Sequence, residues 1–397
     1  MISRRHLIAS GLVTSMSLGI PTIGFGNTGS HKKFVLVLLR GAADGLAIAP
    51  PYGDGHYART RGSLAIPEPG ISNGAFKLDG LFGLNPALKQ TYRRYQDDQA
   101  LVLQAIASPY RSRSHFDGQD YLESGSAPAA KFRDGWLNRA LSASKRGPTD
   151  AIAIAQNTPL ILRGQNTANN WAPATTLLPE DATLDRIAAL YANDEFFATR
   201  LAQARKTQSI ASNSDELDGK AARPNSPDYY KQVSAATAKF LTSDGGPNIA
   251  VMEFGGWDTH ANQGTTSGAL FNRLAALDTG LDELYKGLGP AWDDTVITVV
   301  TEFGRTVRVN GTRGTDHGTG SAALVLGGAV KGGRVIADWP GLADKHLFEG
   351  RDLAPTRDLR GLFKSVLVEH LEFDDAQIDK EVFPASRSVQ TIDGLLS

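Results

Sequence analysis

Six short runs of the chain are almost wholly apolar: Phe34 to Leu39, Ala100 to Ala105, Ala151 to Ala155, Ile249 to Phe254, Thr295 to Thr301 and Ala322 to Leu326. Each is continuous rather than alternating, the pattern of a strand covered on both faces, which is usual in parallel sheets. Between them the period changes. From Ser267 to Leu288, leucines 270, 274, 277, 281, 284 and 288 recur at threes and fours, which predicts one buried helical stripe. Ser226-Pro227-Asp228 reads as a helix start, with Pro at the first helical position. A third helix is predicted after Thr356, burying Leu359, Leu362, Phe363, Val366 and Leu367. Strands alternating with helices predict an α/β fold: a three-layer α/β/α sandwich around a mostly parallel sheet. No break divides residues 27–397, so a single domain is expected. The polar stretch Lys206 to Pro224 is its best surface excursion.

Composition narrows the class. The chain has 397 residues, 41% hydrophobic, with 41 basic against 42 acidic side chains. That balance excludes disorder and gives no sign of nucleic-acid binding. Cysteine is absent, so disulfides, thiolate metal sites and thiol nucleophiles are excluded, and any metal must rest on His and carboxylates. The N-terminus adds an address. Ser3-Arg4-Arg5 precedes an uncharged, weakly apolar run to Ile20, then Pro21 and Gly24-Phe25-Gly26. A charged start, an apolar middle and a small-x-small exit predict a signal peptide over residues 1–26, of the twin-arginine type. The run is too short and too polar for a membrane span. The expectation is a periplasmic or exported protein, with no stable span in the mature chain.

Polar residues cluster where the predicted strands end, the usual ligand edge of such sheets. After the first strand, Arg40-Gly41-Ala42-Ala43-Asp44-Gly45 either presents Asp44 or simply turns at Asp-Gly. Gly255-Gly256-Trp257-Asp258-Thr259-His260 sets Asp258 and His260 two apart, on the same side of an extended segment, able to share a cation. Glu302 ends a buried strand, a costly position unless it meets a metal or an arginine such as Arg305 or Arg308. Asp316-His317 lies among glycines, either as a ligand with its supporting carboxylate or as two ligands. Ser114, in Arg111-Ser112-Arg113-Ser114-His115-Phe116-Asp117, is a helix cap with Asp117 behind it, or an oxygen nucleophile at the positive end of a helix. Arg111 and Arg113 suit an anionic ester.

In this order the segments resemble the alkaline-phosphatase-like superfamily of metal-dependent phosphatases and sulfatases. More closely, they resemble the bacterial family catalogued as domain of unknown function 1501. The resembling phrases are Leu38-Leu39-Arg40-Gly41-Ala42-Ala43-Asp44-Gly45-Leu46, Pro50-Pro51-Tyr52-Gly53-Asp54, Arg113-Ser114-His115-Phe116-Asp117, Gly256-Trp257-Asp258-Thr259-His260, Thr301-Glu302-Phe303-Gly304-Arg305-Thr306 and Thr315-Asp316-His317-Gly318. The resemblance implies an exported hydrolase of phosphate or sulfate esters with one or two divalent ions, whether zinc, manganese, iron or calcium. Asp258, His260 and His317 would hold one ion; Asp44 and Glu302 would hold a second. Ser114 would be the nucleophile, with Ser112 or a metal-bound water as alternatives. Arg113, then Arg40 or Arg305, would offset the charge of a small anionic ester. Two departures stand out. Asp258 and His260 are closer together than the superfamily's pair, and Phe303 stands where a second-site His is expected. His115 or Asp316 would have to fill in. The resemblance also implies another role for such a scaffold: a non-catalytic binding or assembly protein with a second exported partner.

Overall fold

The computed structural model describes residues 31–126, 132–143, 150–173, 181–191, 193–212 and 222–396. The predicted signal peptide lies outside the described residues, as do residues 213–221 of the expected excursion. Residues 206–212 of that excursion complete the helix Glu195–Ser212.

In chain order the strands are β1 (Lys33–Leu39), β2 (Phe76–Lys77), β3 (Gly83–Leu84), β4 (Ala100–Ala107), β5 (Ala151–Ile154), β6 (Asn169–Trp171), β7 (Ile249–Phe254), β8 (Thr295–Thr301), β9 (Ser321–Leu326), β10 (Arg334–Ile336) and β11 (Arg357–Asp358). Nine form one sheet in the order β10-β4-β9-β8-β1-β7-β5-β6, with β11 also paired to β4; β2 and β3 make a small hairpin. All the pairings in the large sheet are parallel except those of β9, which runs against both β4 and β8.

The all-apolar strands explain the layers. Val35, Val37 and Leu39 of β1 face one core with Tyr230, Leu270, Leu274 and Leu281. Phe34, Leu36 and Leu38 face the other with Trp136, Leu359 and Phe363. Alternate side chains of one strand therefore feed two cores, and the fold is the expected α/β/α sandwich. The predicted leucine stripe becomes the helix Ala269–Leu288, and Ser226 caps the helix Pro227–Thr242 by accepting from the Tyr229 N–H. No helix among the described residues is long and apolar enough to cross a membrane.

Topology also fixes the functional edge. Residues just after a forward strand and residues just before the reversed β9 lie at the same end of the sheet. The turns after β1, β7 and β8 and the segment before β9 therefore meet.

Candidate metal centre

The extended segment after β7 alternates as its spacing predicts: Trp257 and Thr259 are buried, while Asp258 and His260 face outward. Gly41 lets this segment pack on the β1 turn. Its φ is +118°, and a Cβ there would lie 2.6 Å from the Asp258 nitrogen, so a larger residue would push the two turns apart. The β8 end and the segment before β9 are joined by a bridge between Arg305 and His317.

Four side chains converge at this edge. The Nε2 atoms of His115 and of His260 each lie 3.0 Å from Nε2 of His317. Asp258 Oδ1 is 3.0 Å from His260 Nε2 and 3.2 Å from His317 Nε2, and Asp258 Oδ2 is 3.5 Å from His115 Nε2. Among the described residues, His115, Asp258 and His317 form the one group of three ligand atoms lying within 4.8 Å of one another.

The far side of each ring is spoken for. His115 Nδ1 is 2.8 Å from Glu302 Oε1, His260 Nδ1 is 3.1 Å from Asp316 Oδ1, and His317 Nδ1 is 2.9 Å from the Arg113 carbonyl. All three partners are acceptors, so each Nδ1 carries the proton, which leaves the neutral ring an unprotonated Nε2. Three lone pairs and a carboxylate oxygen then face one another with no donor between them. That arrangement is repulsive by itself and favourable around a cation, with each imidazole oriented from behind as metal-ligating histidines are. The residues fit a divalent ion.

Charge in the surroundings agrees. Burial works to raise the Glu302 pKa, yet His115, the Gly41 N–H and the Thr301 hydroxyl hold it below the ordinary carboxylate range. Glu302 therefore stays ionised although only 1% exposed, and its hydrogen bond pushes His115 upward against burial. His317 is pushed down, chiefly by burial and further by the charges of His115 and Arg305. Burial likewise works to raise Asp258, but Arg305, whose Nη1 donates to Oδ1 at 2.5 Å, holds it low. Asn310, then His260, lower Asp316.

The other expected site residues fall elsewhere. Asp44 is 1% exposed, pairs with Arg61, accepts from Gln263 Nε2 at 2.6 Å, and caps its own short helix through the Leu46 N–H. That carboxylate is buried among its own partners, and no contact joins it to His115, Asp258, His260 or His317 among the described residues. Glu302, expected as its partner ligand, touches a ligand's Nδ1 instead. Phe303 is buried behind the site, its ring stacked on His115 at 5.0 Å, so no second ligand set assembles among the described residues. His115, expected at most to fill in as a ligand of the second ion, points into this one centre, and Asp316, the other stand-in, supports His260 from outside. Ser114 precedes the helix His115–Ser124 without making a side-chain cap, so the capping-box alternative is not realised. Arg113 gives its carbonyl to His317, but its guanidinium is held by Glu349 and Asp352. Arg40 is held by Glu123 and Glu253. Arg305 backs Asp258 and also donates to Thr315.

Some supporting residues had no sequence signal. Asp352, fully buried, anchors Arg113, which sits at φ +63° with its carbonyl on His317. Arg351 donates to the His317 carbonyl at 2.9 Å. Gln263 ties Asp44 to Thr259 and Thr315 behind the centre. Arg351-Asp352 lies in a loop of ordinary composition, and only the fold brings it to His317.

No curated protein matches this sequence significantly. Among solved structures it is similar to the C-terminal periplasmic domain of EcEptC from Escherichia coli in complex with Zn, at 10% identity over 76% of this chain and 74% of that one, with a TM-score of 0.38. A protein in the alkaline phosphatase superfamily from Vibrio parahaemolyticus gives 12% identity, 77% and 62% coverage and a TM-score of 0.40. A Bacteroides thetaiotaomicron protein from a glycosaminoglycan-metabolism locus gives 8% identity, 91% and 76% coverage and 0.44. These are distant likenesses. The sequence itself matches a family profile over residues 99–381, so the chain belongs to the family described as protein of unknown function, DUF1501.

Proposed function

We propose that this chain is an exported, metal-dependent hydrolase of small phosphate or sulfate esters, with one divalent ion held by His115, Asp258, His260 and His317. The observation that carries this reading is the convergence of three Nε2 atoms and one carboxylate whose outer partners are all acceptors. When bound, the ion would supply Lewis acidity toward an ester oxygen or lower the pKa of a bound water.

The protein's own groups have separable tasks. Glu302, Asp316 and the Arg113 carbonyl fix the three rings, and Arg305 fixes Asp258. Asp258 and His260, with side chains 40% and 46% exposed, keep one face open to solvent for a substrate. Ser114, whose hydroxyl is not spent on its helix, is the nucleophile of this reading, next in sequence to His115. Arg113 and Arg40 are held by short carboxylate pairs, whereas Arg351 meets Asp352 only at 3.7 Å and keeps a 41% exposed side chain beside His317, so it is the guanidinium placed to meet an anionic ester.

The test is a panel of chromogenic phosphate and sulfate esters offered to the metal-loaded and the chelated protein. Turnover that needs metal and falls by about 10²-fold or more in Ser114→Ala supports the proposal. Metal-independent turnover, or none on any ester, overturns it. The enclosure of Asp44 by Arg61 and Gln263 favours a second reading, a binding or assembly protein that keeps one ion without turnover. Co-purification of a stable exported partner with an inactive, metal-loaded chain would select that reading. Export itself is tested by Arg4→Lys with Arg5→Lys, which should retain the precursor in the cytoplasm.

A further inference from the structure

We propose that the cleft between the N-terminal ends of helices Pro227–Thr242 and Ala269–Leu288 is a second, metal-independent site, in which Arg273 binds an oxyanion group: phosphate, sulfate or carboxylate. The cavity is about 480 Å³ and is lined by Asn225, Pro227, Ala269, Asn272, Arg273 and Ala275. It sits at the same end of the sheet as the metal centre.

The arginines around that end are otherwise matched. Arg61 pairs with Asp44, Arg305 with Asp258, Arg113 with Glu349 and Asp352, and Arg40 with Glu123 and Glu253. Arg273 has neither an ion pair nor a hydrogen bond among the described residues, and its Nε is buried without a partner. Leaving a half-buried guanidinium unmatched costs free energy that an anion would recover. The fold holds it in place. Gly256, at φ +85°, has no Cβ; one there would lie 2.8 Å from Arg273 Nε and 3.0 Å from Nη2. The guanidinium therefore rests on the Gly256 backbone, two residues before Asp258. Across the cleft Asn225 adopts φ +64°, with its amide about 4 Å from where a Gly255 Cβ would be. Asn225 and Asn272 bring side-chain donors, and two helix N-termini add favourable dipoles. The group recognised can be a free ion or the second anionic group of a larger ester.

The experiment is calorimetric titration of inorganic phosphate, then sulfate, into the full chain stripped of metal. Saturable binding is expected, weakened by about tenfold or more in Arg273→Gln and only slightly in Arg273→Lys, which keeps the charge. It should persist in His317→Ala. Absence of binding in the wild type, equal binding in Arg273→Gln, or loss in His317→Ala would overturn the proposal. Because no turnover is read, failure of the hydrolase reading leaves this result intact. A KM for a bis-anionic ester that rises in Arg273→Gln, with that for a mono-anionic ester unchanged, would assign the site to substrate; unchanged values for both, with phosphate binding lost, would assign it to a free ion.

Discussion

Asp44 and Asp258 follow neighbouring buried strands at one sheet edge, yet they have opposite surroundings. Asp44 is enclosed, with its charge matched by Arg61 and further hydrogen bonds from Gln263 and a backbone N–H. Asp258 is backed by Arg305 on one side and faces three imidazole Nε2 atoms on the other. The first carboxylate is satisfied by the protein. The second belongs to a set that only a cation completes. Strand-end acids therefore divide by what stands opposite them, and that is decided by tertiary contacts.

The sharpest way to break this comparison is to remove one member of each set. His317→Ala should abolish tight metal binding while leaving the fold, because His317 is a partly exposed ring outside the main cores; metal content and circular dichroism read the two effects. Asp44→Ala should do the reverse. It leaves Arg61 buried and unpaired, a loss of about 3–5 kcal/mol seen as a lower denaturant midpoint, with the folded fraction still binding metal. If Asp44→Ala removed the metal without loss of stability, the two roles would be exchanged.

Smaller changes sharpen the contrast. Glu302→Gln and Asp316→Asn keep the shape behind His115 and His260 but weaken the acceptor, and each should cost about 10–100-fold in metal affinity. Asp352→Asn acts one contact further out, through Arg113, and should cost less than either. The smallest effect is on stability in acid. Burial works to raise the Asp54 pKa, but the His56 N–H, the Trp339 indole and the Leu342 N–H bring it below the ordinary value. A depressed folded pKa gives stability that is present above the ordinary carboxylate range and lost as pH falls through the folded value. Asp54→Asn should therefore be less stable at neutral pH and lose less on acidification, as measured by thermal midpoints across pH 3–7.

Much of this was legible in the sequence. Continuous apolar runs foretold the central strands, and the leucine stripe foretold the helix Ala269–Leu288. The two-residue spacing of Asp258 and His260 foretold their shared side. The short strands Asn169–Trp171 and Arg334–Ile336 escaped because polar residues dilute their apolar runs at or near the sheet's edges. The site was less legible, for a physical reason. Nothing local distinguishes a carboxylate that will meet Arg61 from one that will meet three histidines, since Arg61 is 17 residues from Asp44 and His317 is 59 from Asp258. His115 read only as a stand-in for the ligand missing at Phe303, since its place opposite His317, 202 residues on, is set by the fold. The reversed β9, which carries His317 to the common edge, was not visible in an apolar run that looked like the others.

The central claim is a single cation on four named side chains. It is tested most directly by elemental analysis of the mature chain, exported by its own signal and purified without an affinity metal, beside His317→Ala. The account predicts one tightly bound divalent ion per wild-type chain and none in the variant. Two ions per chain, an ion retained by His317→Ala, or a folded wild-type chain that neither carries nor takes up metal would contradict it.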